Sequence, residues 1–139
     1  RVEDYFDILL LYDDKRVHVK GGYFFRRPFP EFTLFGKKGC FIKRRADVQE
    51  PQLDAGMLPS DPDYGVEPAG NEGCLYTDAA DEPELVTAPP GNYMAFYDGL
   101  YEAIADDRKE PVTAEDGVRV MRVIDAAYRS HREGAVVSL

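Results

Sequence analysis

Histidines, cysteines and clustered carboxylates are the side chains of this sequence that could do chemistry, and their numbers narrow the choice. There are two histidines, His18 and His131. That is too little material for a His-rich metal site or a Ser-His-Asp triad, and both read as surface or packing residues. Cys40 and Cys74 form no C-x-x-C pair and are too few for a disulfide framework, so they are expected as free thiols. No G-x-G, P-loop or H-E-x-x-H motif occurs. Asp78, Asp81, Glu82 and Glu84 cluster without the spacing or closing Glu of a calcium loop and read as a solvated turn. Carboxylates are common enough to pair by chance, so no acid–base pair and no metal ligand set is named from the residues alone.

The supply of charge excludes further classes. The 139 residues hold 26 Asp and Glu against 17 Lys and Arg, a net charge of −9. Phosphate backbones are bound through clustered Lys and Arg, so general nucleic-acid binding is not expected. The charge is uneven: +5 over residues 1–45, −15 over 46–107 and +1 over 108–139. Arg26, Arg27 and Lys43 to Arg45 could together hold an anionic ligand, though basic residues near turns are more often a solvated surface. With 44% apolar residues and 17 aromatics the chain is no disordered tail, and no apolar run is long enough to span a bilayer. A single domain over residues 1–139 in the cytoplasm is the expectation.

The elements that would position these groups follow from periodicity. Tyr5–Tyr12 reads as a strand that stops at Asp13-Asp14, and Lys15–Phe25 as its hairpin partner. Phe32–Phe35 and Cys40–Lys43 form a second hairpin, with Gly36 and Gly39 permitting positive φ at the reversal. Arg26–Pro30 would cross between the two. A short helix fits Val48–Ala55, followed by a long proline-rich excursion of the kind that serves as a lid or connection. Gly73–Thr77 reads as a strand, and Asn92 caps a helix running to Asp107 with Tyr93, Tyr97, Leu100 and Ile104 facing the sheet. Thr113–Asp116 is a capping box with Asp at its fourth position. The helix it opens would bury Val120, Met121, Ile124, Ala127 and Tyr128 and stop at Gly134, leaving Ala135–Leu139 for a short strand. The fold class is α+β: a largely antiparallel open sheet, with room for a mixed pairing, and helices packed on one face.

Strand Tyr5–Tyr12 is apolar on both sides. Tyr5, Leu9 and Leu11 share one face, and Phe6, Ile8, Leu10 and Tyr12 the other. A sheet wet on one side alternates apolar with polar residues instead. One face is expected to pack on the helices and the other on a second copy of the chain, giving a homodimer through the sheet face; cover by the long middle loop is the alternative.

Asp4-Tyr-Phe-Asp7, Pro30-Glu-Phe-Thr-Leu-Phe-Gly-Lys-Lys-Gly-Cys-Phe-Ile-Lys43 and Asp47-Val-Gln-Glu50 with Gly56 and Pro59 resemble the Gfo/Idh/MocA family of NAD(P)-dependent oxidoreductases, in its scyllo-inositol dehydrogenase-like branch. Phe96-Tyr-Asp-Gly-Leu-Tyr-Glu-Ala-Ile104 and Pro111-Val-Thr-Ala-Glu-Asp116 are similar to that family's closing helix pair. The likeness covers nearly the whole chain, with Phe35 and Cys40 standing where the family commonly has His and Ser.

The resemblance implies the substrate-side and dimerisation half of a two-domain enzyme that transfers a hydride between NAD or NADP and a sugar or cyclitol hydroxyl. The N-terminal Rossmann domain, the Glu-Lys-Pro lysine and the helical Asp-x-x-x-His pair of such enzymes have no credible match here. Lys109-Glu-Pro111 runs in the wrong order, and Asp14-Lys-Arg-Val-His18 falls on a turn and strand. The chain therefore reads as truncated at its N-terminus. It is expected to bind no cofactor and to be inactive by itself, with no catalytic residue of its own. Lys43, Asp47, Gln49 and Tyr64 are the substrate-side candidates, because polar groups after a strand and on a long loop can reach hydroxyls. A free-standing dimerisation or interaction module without activity is the alternative.

Overall fold

A computed structural model describes residues 3–27, 29–44 and 47–139. Pro28 of the expected crossing and Arg45 of the expected anion set lie outside them. The elements are β1 (Tyr5–Leu11), β2 (Arg16–Gly22), β3 (Phe32–Gly36), β4 (Gly39–Lys43), α1 (Gln49–Asp54), β5 (Gly73–Thr77), β6 (Glu84–Val86), α2 (Met94–Ala105) and α3 (Ala114–Glu133). They make an α+β fold with two open antiparallel sheets, ordered β1-β2 and β3-β4-β5-β6, where the sequence suggested one. The chain divides into two compact units, Arg1–Arg27 with Glu110–Leu139, and Pro28–Lys109.

In the first unit the β1–β2 register sorts the side chains. Phe6, Ile8 and Leu10 lie opposite Gly21, Val19 and Val17, while Asp7, Leu9 and Leu11 lie opposite Lys20, His18 and Arg16. One face of the ribbon is thus wholly apolar, and the other mixes leucines with an Asp7–Lys20 ion pair of 2.9 Å. Strand β1 alone shows two greasy faces; its partner makes one of them amphipathic. Helix α3 opens on the expected box: Thr113 accepts the Asp116 N–H, and the Asp116 carboxylate accepts from the Thr113 N–H. It closes at Gly134 in the left-handed region, φ 63. A groove of about 870 Å³ runs between β1 and α3, with Ile8, Leu10, Val123, Ala127 and Val137 on its walls.

In the second unit β3 and β4 reverse through Lys37-Lys38. Neither Gly36 nor Gly39 has positive φ, contrary to the reason expected for them. Gly39 is needed for space instead: a Cβ there would overlap the Tyr76 carbonyl on the neighbouring strand β5. Strand β6, at Glu84–Val86, was hidden in the acidic stretch read as a turn, since three residues are too few to show alternation. Ala135–Leu139, expected to add a short strand, takes no strand conformation, although β1 keeps a free edge and lines the same groove.

The expected helix stripes are present but not buried. Tyr97, Leu100 and Ile104 on α2, and Val120, Met121 and Tyr128 on α3, are all exposed. Among the described residues, Tyr64 is the one buried hydrophobic side chain. The accessible surface is 12048 Å². Two separate globules of the units' sizes would expose about 8,800 Å² in all. The elements therefore carry more apolar surface than the chain itself covers.

Candidate functional site

Lys43 ends β4 with its side chain half sunk beneath the loop that follows α1. Its Nζ donates to Glu67 Oε2 at 2.7 Å and to the Asn71 carbonyl at 2.9 Å. Only 12% of the Lys43 side chain and 5% of the Glu67 side chain remain exposed. The second Glu67 oxygen accepts the Ala88 N–H at 2.8 Å. The hydrogen bond from Lys43, followed by that from Ala88, holds the Glu67 carboxyl below its ordinary value. Both oxygens are thus committed, and Lys43 is tied inward rather than offered to an anion. That removes it from the anion set suggested by the sequence.

Asp47, Gln49 and Tyr64 are brought together. Asp47 Oδ1 accepts from the backbone N–H and the side-chain Nε2 of Gln49, both at 3.1 Å. Gln49 is buried, and its Oε1 accepts the Tyr93 N–H at 2.8 Å, fastening the start of α1 to the approach of α2. The close fit is made by glycine. Gly65 has φ +74, and a Cβ on it would overlap the Gly91 carbonyl; a Cβ on Gly91 would overlap the Gln49 amide. The Gly91 N–H donates to the Gly65 carbonyl at 2.9 Å, and the Gly65 N–H to Gln52 Oε1 at 2.7 Å.

Tyr64 differs from its neighbours. It is 6% exposed, and its buried hydroxyl has no hydrogen-bond partner among the described residues. Burial first, then the charges of Tyr93 and Asp47, push its phenol above its ordinary value. The site therefore holds the Glu67 carboxylate, kept ionised by Lys43, and the Tyr64 phenol, kept protonated by burial. Such a set binds and positions; it is not tuned for proton transfer near pH 7. Among the described residues no group of three His, Cys, Asp or Glu could hold a metal ion.

Glu67, Gly65 and Gly91 are not candidates from the sequence, and Tyr93 reads there only as part of a helix stripe. Gly65 stood directly after a candidate, but Glu67 looked like one more acid in an acidic loop. Its pairing with Lys43 spans 24 positions and has no local signature.

The whole chain, residues 1–139, matches the model of the oxidoreductase family C-terminal alpha/beta domain, GFO_IDH_MocA_C. The chain belongs to the Gfo/Idh/MocA oxidoreductase family. Within that family it is 33% identical over 138 residues to the scyllo-inositol 2-dehydrogenase (NADP(+)) IolW of Bacillus subtilis, covering 98% of this chain and 38% of IolW. It is 28% identical over 138 residues to the oxidoreductase YdgJ of Escherichia coli, covering 98% of this chain and 39% of YdgJ. The solved structure of YvaA from Bacillus subtilis superposes with a TM-score of 0.85 at 33% identity, over 98% of this chain and 40% of that one. An oxidoreductase of Bacillus cereus gives 0.76 at 26% identity, over 90% and 38%. This Gfo/Idh/MocA domain thus spans about two fifths of the length of these relatives.

Proposed function

We propose that this C-terminal domain serves the substrate side of a longer oxidoreductase that transfers a hydride between NAD or NADP and a hydroxyl of a sugar or cyclitol. The observation that carries the reading is the match of the whole chain to the family's C-terminal domain, with an NADP(+)-linked scyllo-inositol 2-dehydrogenase among the relatives. In the longer enzyme a bound nicotinamide would supply the hydride acceptor, and a base would be needed for the hydroxyl proton. The residues of this chain do not fit a dinucleotide cradle. Its described sheets are antiparallel, and the N-terminus of α3 is closed by its own Asp116 carboxylate. Both reacting groups are therefore assigned to the rest of the enzyme, and the isolated chain is proposed to bind no cofactor and to be inactive.

Among the four substrate-side candidates, Asp47 is exposed and is proposed to contact a polyol hydroxyl. Lys43, Gln49 and Tyr64 hold its surroundings in place. In the longer enzyme Asp47→Asn is expected to raise KM for the polyol with little change in kcat. A Lys43→Ala or Gln49→Ala enzyme with unaltered KM and kcat would remove that residue from the substrate side.

A homodimer through the sheet face is proposed on the same footing. The apolar ribbon residues Phe6, Val17 and Val19 are exposed in the single chain. Light scattering of the longer protein should report two subunits, and Val19→Glu should shift it towards one. The same exposed surface favours a second reading, an interaction module without activity. That reading gains if the longer protein dimerises but reduces no nicotinamide cofactor. No helix among the described residues is long and apolar enough to cross a membrane, and a cytoplasmic location is proposed.

A further inference from the structure

We propose that the groove between α3 and the Ser138 segment binds the phosphate group of a small molecule through Arg122, Arg129 and Arg132. Two turns of helix separate Arg122 from Arg129, and Arg132 lies one turn further, so the three guanidinium groups fall on one face of α3. They line a groove of about 440 Å³ together with Tyr128 and Ser138. That is room for a ligand of small-molecule size.

None of the three is paired with a carboxylate in the described structure. Arg119 one turn earlier is bound to Asp116 at 3.2 Å, and Arg108 to Glu102 at 3.1 Å. Arg129 Nη2 makes a long hydrogen bond of 3.4 Å to the Ser138 carbonyl, which draws its guanidinium across the groove. Asp125 also lines the groove, at helical spacing to reach Arg122 or Arg129, yet forms an ion pair with neither.

Unpaired arginines stand out in a chain of net charge −9, where carboxylates are plentiful. Favourable interaction with the helix dipole accounts for Arg132, in the last turn, but not for Arg122 and Arg129 further back. The planar fork of arginine matches the oxygens of a phosphate in pairs, and three forks around one groove suit a compact dianion better than a single carboxylate. An acidic peptide is the competing occupant, and the test separates the two.

The experiment is isothermal titration of the full-length protein with inorganic phosphate, with glucose 6-phosphate and with a poly-glutamate peptide. It is repeated on the Arg122→Ala/Arg129→Ala and Arg122→Lys/Arg129→Lys variants. These positions are exposed, so both variants are expected to keep the thermal midpoint of the parent. Saturable phosphate binding, weakened about tenfold or more in the alanine variant and partly retained in the lysine variant, is the expected result. Binding equal in parent and alanine variant would place the phosphate elsewhere in the longer protein and overturn the proposal. Absence of saturable phosphate binding, or arginine-dependent binding of poly-glutamate alone, would overturn it too.

Discussion

Tyr64 keeps a hydroxyl out of water with no partner among the described residues, and Phe would fill the same space without that cost. Tyr64→Phe is therefore expected to leave the stability of the chain unchanged or to raise it by up to about 1 kcal/mol, read from urea denaturation. A loss of stability would show that the hydroxyl has a bound water as partner. Lys43 and Glu67 behave in the opposite way. Removing the ammonium in Lys43→Met leaves a largely buried carboxylate short of a donor, at a cost of about 1–3 kcal/mol in the same measurement. The pair also sets a pH dependence. The Glu67 carboxyl lies lower in the folded chain than its ordinary 4.5, so its contribution is complete above that value and is lost as pH falls through the folded value. The stability difference between the parent and Glu67→Gln should accordingly close on acidification, and a difference that widened in acid would contradict the assignment.

Helix α3 and the tight loop around Gly65 are the elements whose ends decide their stability. Thr113→Ala removes half of the capping box and should cost about 1 kcal/mol, with loss of helical circular dichroism at a lower denaturant concentration. Gly65→Ala meets both an unfavourable φ and the Gly91 carbonyl, and should cost more than about 1 kcal/mol. The box at Thr113 and the stop at Gly134 were legible in the sequence because capping depends on neighbouring residues. The hairpins were legible for the same reason, from alternation beside Asp13-Asp14 and Lys37-Lys38. Strand β6 was not, being too short for a period, and neither was the division into two sheets, which rests on pairings between distant segments. In the candidate site, the proximity of Asp47 to Gln49 was local and visible. The contacts of Gln49 with Tyr93 and of Lys43 with Glu67 were invisible, since they close long loops that leave no trace in spacing.

At the scale of the whole molecule, the apolar stripes expected to pack α2 and α3 within the chain stand exposed in it, and so do the apolar residues of β1. The chain exposes 12048 Å², and residues such as Phe35, Ile104 and Val120 remain in water. Surface of that kind is expected of a part made to be covered by more protein, and the relatives are more than twice as long. The central proposal is that these 139 residues support a hydride transfer whose reacting groups lie outside them. Reduction of NAD+ or NADP+ with a panel of sugars and cyclitols, followed by the absorbance of the reduced cofactor and compared between the longer protein and the isolated chain, tests it most directly. The account predicts turnover by the longer protein and none by the isolated chain; reduction of either cofactor by the isolated chain at a comparable rate would contradict it.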